Sequence, residues 1–323
     1  MAIKNNKNAG KCPNSTYQAT VSLQDLIKRN NGIRANGSVA SDSTRQARRR
    51  ILRQAFKFLK KRFPELEDAS KFKERHVIAL AELWEKQKLS ASTIQTRFSV
   101  MRVFCSWIGK VGMVRKTVCY FSNPALVKRS YIATFDKSWA GNQIDFEVVL
   151  EKVKAMDAYV AIAIEGMLLF GFRRKEAVMF TPHTSDQGIL VQISRGAKGG
   201  RKRAVPILTE SQQDYLYRAR LLVKPGQSLG TPGKNLKQSL CRFSYVMTIL
   251  GITKLGSGVT AYGLRHENAH LRLKKLSGHH APVKGLSSHP DPHIDHQARI
   301  EISKELGHTR TSITNSYFGK NKK

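Results

Sequence analysis

Helical periodicity through most of the chain, two short β-branched runs joined by a glycine-rich turn, and a length of 323 residues predict a mainly α, two-domain α+β protein with one small antiparallel β-sheet. In "STRQARRRILRQAFKFLKKRF", Leu52, Phe56, Leu59 and Phe63 recur at steps of four, three and four, and nine Lys/Arg fill the other faces. This is an amphipathic helix with a basic exterior. "KERHVIALAELWEKQ" gives a second helix. A third, "SASTIQTRFSVMRVFCSWIG", starts at a Ser/Thr cap and places Ile94, Phe98, Met101, Cys105 and Ile108 on one face. These helices define a first domain over residues 17–125, preceded by a polar, aperiodic basic arm over 1–16.

Residues 126–144 carry little periodicity and include Gly141, which predicts a linker. The second domain, 145–323, opens with helices over about 146–156 and 158–170. "GILVQIS" and "RAVPIL" follow as two strands of a hairpin around "RGAKGGRK". Helices resume over about 209–222, 236–250 and 260–275, and a Gly-, Pro- and His-rich loop over about 276–298 precedes two short final helices.

Charge restricts the partner. With 56 Lys+Arg against 23 Asp+Glu the formal net charge is +33, an excess that repels itself unless a polyanion balances it, and nucleic acid is the leading partner class. At 41% apolar residues the chain is not a disordered basic tail. The bases expected to meet phosphates are Arg45, Arg48, Arg49, Arg53 and Lys57 on the first helix, Arg97 and Arg102 on the third, and Arg201 and Lys202 beside the hairpin tip. The bland alternative is a solvated face, but few acids interleave with these bases, and i,i+4 pairing favours mixed signs. Cys12, Cys105, Cys119 and Cys241 show no paired spacing, which fits a reducing compartment. The most apolar run, "AYVAIAIEGMLLFGF", is interrupted by Glu165 and is too short to span a bilayer, and no signal peptide opens the chain. A cytoplasmic protein facing nucleic acid, without membrane contact, is the expectation.

Chemistry is concentrated in four places of the second domain. In "LLFGFRRKEAV", Arg173 follows a glycine turn and Glu176 lies three residues on. Lys198 sits among Gly196, Gly199 and Gly200 at the hairpin tip. "TAYGLRHENAH" presents Tyr262, Arg265 and His266, and "LGHTRTSITNSYF" sets Tyr317 nine residues after His308. A lone arginine after a helix ordinarily pairs with a carboxylate, a tip lysine is ordinarily solvated, and a terminal tyrosine ordinarily packs. Their order and spacing together carry the signal. His289, His293 and His296 have a spacing that zinc could use, but no cysteine is near and the surroundings are Pro- and Gly-rich, so a polar loop without metal is expected.

These four motifs resemble the tyrosine recombinase (phage integrase) family, whose pattern runs Gly-x-Arg-x-x-Glu, a hairpin Lys, His-x-x-Arg-His, then Leu-Gly-His and a Tyr nine residues later. The matching positions are Gly171, Arg173, Glu176, Lys198, Arg265, His266, Leu306, Gly307, His308 and Tyr317. Tyr262 stands where the family pattern has histidine, and 43 residues separate Arg265 from His308, which makes the His-rich loop an expected insertion. The resemblance covers about 145–323 and implies that the basic helical domain is a core-binding domain. It further implies a site-specific recombinase or integrase of a mobile element, acting on double-stranded DNA attachment sites without a cofactor, through a 3′-phosphotyrosyl intermediate. A tetramer on DNA follows from it, with accessory DNA-bending proteins as a compatible addition.

The implied roles agree with elementary chemistry. Two guanidiniums, Arg173 and Arg265, suit a phosphodiester that gains charge during in-line attack. Tyr317 is the implied nucleophile, Lys198 the donor to the departing 5′-oxygen, and His308 and Tyr262 hydrogen-bonding partners of the phosphate or the phenol, with Glu176 and His266 in support. Two rival functions share these features: a type IB topoisomerase-like relaxing enzyme, and a DNA-binding regulator that kept the fold and lost catalysis.

Overall fold

In the computed structural model, residues 21–34, 37–285 and 291–320 are described, and they divide into two compact units at Arg129/Ser130. The expected arm over 1–16 lies outside the described residues.

The first unit contains α1 (Leu23–Asn30), α2 (Asp42–Arg62), α3 (Glu74–Lys86) and α4 (Ala91–Trp107). Three begin where a serine hydroxyl accepts a hydrogen bond from a backbone N–H of the first turn: Ser22 for α1, Ser41 for α2 and Ser90 for α4. The apolar stripe of α2 is buried at Leu52, Phe56 and Leu59 and packs with Phe72 and Phe104. Phe56 and Phe72 each meet the Phe104 ring edge-on, at 5.2 and 5.4 Å. Ile94, Phe98, Met101 and Cys105 of α4 close the same core.

The second unit is built around α6 (Ala158–Leu169), which follows α5 (Phe146–Met156). Asp145 and Asp157 cap these two helices. Every residue of α6 from Val160 to Met167 is buried, as expected of a helix apolar on nearly every face; the exception, Glu165, accepts a hydrogen bond from Arg218 Nη1 (2.9 Å). Next come α7 (Arg174–Met179), α8 (Pro182–Ser185), β1 (Leu190–Ile193), β2 (Arg203–Pro206), α9 (Glu210–Leu222), α10 (Leu236–Ile249), α11 (Tyr262–Ser277), α12 (Pro292–Glu305) and α13 (Asn315–Phe318). β1 and β2 pair antiparallel, with Val191 opposite Val205 and Ile193 opposite Arg203.

Two expectations are corrected here. The stretch expected to be a linker over 126–144 is irregular and largely exposed only over its middle, where Tyr131, Ile132 and Phe135 face solvent; its two ends are anchored, each in its own unit. Val127 belongs to the first core, and Trp139, fully buried, belongs to the second. Trp139 donates from Nε1 to Thr260 O (3.0 Å), while the backbone N–H groups of Trp139 and Ala140 donate to Glu267 Oε2. Short 3₁₀ turns and single anchoring side chains leave no periodic signal, so the sequence of this segment carries no mark of its anchors. The expected loop over 276–298 is likewise shorter. α11 runs to Ser277 and ends at Gly278 in the left-handed conformation, and α12 starts at Pro292. Asp291 accepts from His293 N and Ile294 N, and the proline occupies a first-turn position, where it initiates a helix and does not break one. Residues 286–290, His289 among them, lie outside the described residues.

No helix of the described residues is long and apolar enough to cross a membrane. Among the same residues no cluster of three or more His, Cys, Asp or Glu side chains could hold a metal ion.

Candidate active site

The second unit brings Arg173, Glu176, Tyr262, Arg265, His266, His308 and Tyr317 together. Arg173 and Glu176 open α7: the Arg173 backbone N–H donates to Glu176 Oε2 (2.8 Å) and its Nη1 donates to Oε1 (2.5 Å). Tyr262 and Arg265 share the first turn of α11, so they project from one face. Gly263, between them, packs against Lys137 O and the Trp139 ring, leaving no room for a side chain. His308 follows α12, and Tyr317 lies on α13.

The Tyr317 hydroxyl is the hub. It lies 2.7 Å from Tyr262 Oη, accepts from Arg265 Nε (3.1 Å), and lies 3.4 Å from His308 Nε2. The His266 ring covers the phenol face at a centroid distance of 4.6 Å. Two backbone carbonyls organise the guanidiniums. Gly171 O accepts from Arg265 Nη1, and Leu306 O accepts from Arg265 Nη2 (2.6 Å) and Arg173 Nη2 (3.1 Å). Arg265 is fully buried and Tyr317 is 2% exposed, whereas Tyr262 is 43% exposed and forms the outer wall. The tail that carries Tyr317 is anchored from behind. His270 Nε2 donates to Tyr317 O (2.9 Å), Ala133 N donates to Asn315 O (2.9 Å), and Phe318 is buried in a cluster with Leu273, Ile302 and Leu306.

The electrostatics favour anion binding. Burial, followed by the charges of Arg265, Arg173, Arg203 and Lys198, depresses the His308 pKa to about 4. His308 is therefore neutral at neutral pH and able to accept a hydrogen bond. Burial first, with His270 and Lys137 adding to it, takes His266 down to about 3. Burial works against the charge of Glu176, yet Arg203, Arg173 and Arg265 outweigh it and hold the carboxyl below its ordinary range. Lys198 is exposed on the turn Lys198–Gly200 at the hairpin tip and forms no ion pair among the described residues.

Sequence reasoning missed two residues, Arg203 and His270. Arg203 is buried and pairs with Glu176. It was legible in principle: strand alternation puts it on the same face as buried Val205, where a cation requires a partner. His270 is one turn beyond His266, on the same buried side of α11.

The expected phosphate-facing bases of the first unit divide. Arg49, Arg53 and Lys57 are exposed along α2, and Arg45 is exposed beside Asp42. Arg48 is a correction: it is buried, and its Nη1 donates to Ile33 O (2.8 Å), so it braces the segment after α1 and presents no free charge. Arg102 is turned inward too, donating to Val114 O, Arg115 O and Thr117 Oγ1. Arg97 lies over the Trp84 ring at 5.5 Å. Arg201 and Lys202 are exposed next to the hairpin tip, where Arg201 reaches Thr309 Oγ1.

Residues 136–270 match the family model described as integrase, and residues 27–114 match the model of the phage integrase N-terminal domain. Among solved structures, a lambda integrase tetramer bound to a Holliday junction is similar at 13% identity, covering 93% of this chain and 78% of that one with a TM-score of 0.60. The Tn1549 transposon integrase in complex with transposon right end DNA is similar at 16% identity, covering 92% and 95% with a TM-score of 0.57. At these identities the likeness is one of fold. No curated protein matches the sequence.

Proposed function

Because the chain belongs to the tyrosine recombinase (phage integrase) family and is by that membership a site-specific DNA strand transferase, we propose that Tyr317 is its nucleophile and that Arg173 and Arg265 clamp the scissile phosphate. One observation carries the assignment: the Tyr317 hydroxyl lies within hydrogen-bond reach of Arg265, Tyr262 and His308.

In this reading the phenol oxygen attacks phosphorus, the bond to the 5′-oxygen breaks, and the phosphate remains on the 3′ end as a tyrosyl diester. Arg265 Nε–H already points at the attacking oxygen and stabilises charge as it develops there. The phenol proton passes to neutral His308 as the P–O bond forms, and Lys198 supplies the proton that the 5′-oxygen acquires. A phenol, with an ordinary pKa of about 10, is a competent leaving group for the reverse step, so the bond energy is retained and rejoining needs no ATP. Tyr262 substitutes a hydroxyl for the family's imidazole, and its oxygen still reaches the hub. Since Tyr317 is covered in the free protein, DNA must displace the Tyr262 wall or shift α13 before attack.

The exposed bases of α2 and of the hairpin tip are assigned to DNA phosphates. A lambda integrase tetramer has been seen on a Holliday junction, and the same assembly on two attachment sites of a mobile element is proposed here, on cytoplasmic DNA.

The test is a nicked suicide duplex incubated with the protein. A covalent adduct mapped to Tyr317, absent in Tyr317→Phe, is expected. An adduct that persists in that variant would assign the nucleophile elsewhere. Dependence of product formation on two DNA sites separates recombination from simple relaxation.

A further inference from the structure

Three guanidiniums, not two, converge on Glu176. Its Oε1 accepts from Arg173 Nη1. Its Oε2 accepts from the Arg173 backbone N–H and from Arg203 Nη2 (2.8 Å), and lies 3.8 Å from Arg265 Nη1. Arg203 is 5% exposed, so a DNA phosphate does not reach it. Whatever it does for the reaction passes through its neighbours.

Two consequences follow from its position. The first is charge. Without Arg203, the group of Arg173, Arg265 and Glu176 would carry a net +1, with Arg173 largely spent on its own carboxylate. With Arg203 sharing Oε2, the cluster of three arginines and one glutamate keeps a net charge of +2 for an incoming phosphate (three cations less one anion). The second is geometry. Arg203 Nη2 also donates to Gly171 O (3.2 Å), the carbonyl that Arg265 holds, and Arg203 Nη1 donates to Glu305 O, one residue before the carbonyl shared by Arg173 and Arg265. The fork therefore spans the two backbone segments whose carbonyls orient both phosphate-binding arginines. The glycine of the Leu-Gly-His turn gains a reason as well. Gly307 has φ +67°, and a Cβ there would lie 2.8 Å from Arg203 Cδ, so the arginine stem occupies the space a side chain would need.

We infer that Arg203 is a positioning residue for DNA cleavage: by sharing Glu176 it leaves the charge of Arg173 and Arg265 for the phosphate, and by gripping Gly171 and Glu305 it fixes their separation. This rests on the reading that those two arginines clamp the scissile phosphate.

The experiment measures single-turnover cleavage and duplex affinity for Arg203→Met, for Arg203→Lys, and for Arg203→Met combined with Glu176→Gln, with a thermal melt of each. Arg203→Met should cleave on the order of 10² more slowly, the usual cost of losing transition-state charge stabilisation, with affinity within a few-fold. It should be equally slow on a duplex with sulfur at the bridging position. Adding Glu176→Gln should restore part of the rate, because the unshared carboxylate that neutralises Arg173 is then gone; a purely structural role gives no such rescue. A double variant no faster than Arg203→Met overturns the inference. Selective recovery of Arg203→Met on the sulfur-bridged duplex also overturns it, because the residue would then serve only the Lys198 hairpin. If Arg203→Met does not fold, Arg203→Lys decides. It keeps the charge but cannot hold both carbonyls, so about tenfold slower cleavage is expected, and a wild-type rate refutes the role. Failure of the wild-type protein to form any Tyr317 adduct would instead remove the functional reading on which the inference stands.

Discussion

Substituting Lys198 with alanine separates proton delivery from phosphate binding. The residue is exposed, and Gly196, Gly199 and Gly200 around it all have positive φ, so its loss leaves the fold within about 0.5 kcal/mol. As one phosphate contact among many it would change the slope of log affinity against log salt by only about 0.9. As general acid it is worth about 10²–10⁴ in rate, or roughly 3–5 kcal/mol of barrier at about 1.36 kcal/mol per tenfold. No neighbour readily replaces it. The guanidiniums of Arg173, Arg203 and Arg265 do not give up a proton at neutral pH, and His308, depressed to about 4, carries almost none. The assay is single-turnover cleavage of matched duplexes with oxygen or sulfur at the bridging 5′ position. A thiolate leaves without protonation, its conjugate acid having a pKa of about 8.5 in the cysteine case. Lys198→Ala should therefore be slow on the oxygen duplex and recover on the sulfur duplex, while Arg173→Ala stays slow on both. Equal impairment of Lys198→Ala on the two substrates would refute proton donation and leave the lysine as a phosphate contact.

Three further outcomes are expected. Tyr317→Phe should lower stability by about 1 kcal/mol, because it deprives buried Arg265 and half-exposed Tyr262 of a hydrogen-bond partner; a variant as stable as wild type in urea would contradict the hub geometry. Nonspecific duplex binding should weaken steeply with salt, and neutralising Arg49, Arg53 and Lys57 together should flatten the slope by roughly 2.7, at about 0.9 per phosphate contact. An unchanged slope would move the DNA away from α2. Finally, the neutral buried imidazole of His266 ties stability to pH. The unfolded side chain titrates near 6.5 while the folded one stays neutral down to about 3, so stability is full above about pH 6.5 and is lost as pH falls towards 3. By about pH 5 the loss is roughly 2 kcal/mol at about 1.36 kcal/mol per unit. Urea titrations at two pH values should show His266→Leu losing that much less than wild type, and identical pH dependence in the two proteins would sink the assignment.

The sequence by itself determined the helices whose apolar spacing repeats, the hairpin with its glycine tip, and the order of Arg173, Glu176, Lys198, Arg265, His308 and Tyr317, because periodicity and motif spacing are properties of the chain read in order. It did not determine how the ends of 126–144 are anchored or where α12 starts, because single anchors such as Trp139 and a helix-initiating Pro292 take the place of a repeating pattern there. Only the tertiary structure decided that Arg48 is a brace, since its burial depends on the Ile33 carbonyl, 15 residues earlier in the chain. The same holds for the site. Tyr317 meets Tyr262 across 55 residues, and Arg203 meets Glu176 across 27. What a cation or a phenol does depends on the charges and carbonyls around it once water has been excluded, and packing in three dimensions selects those neighbours.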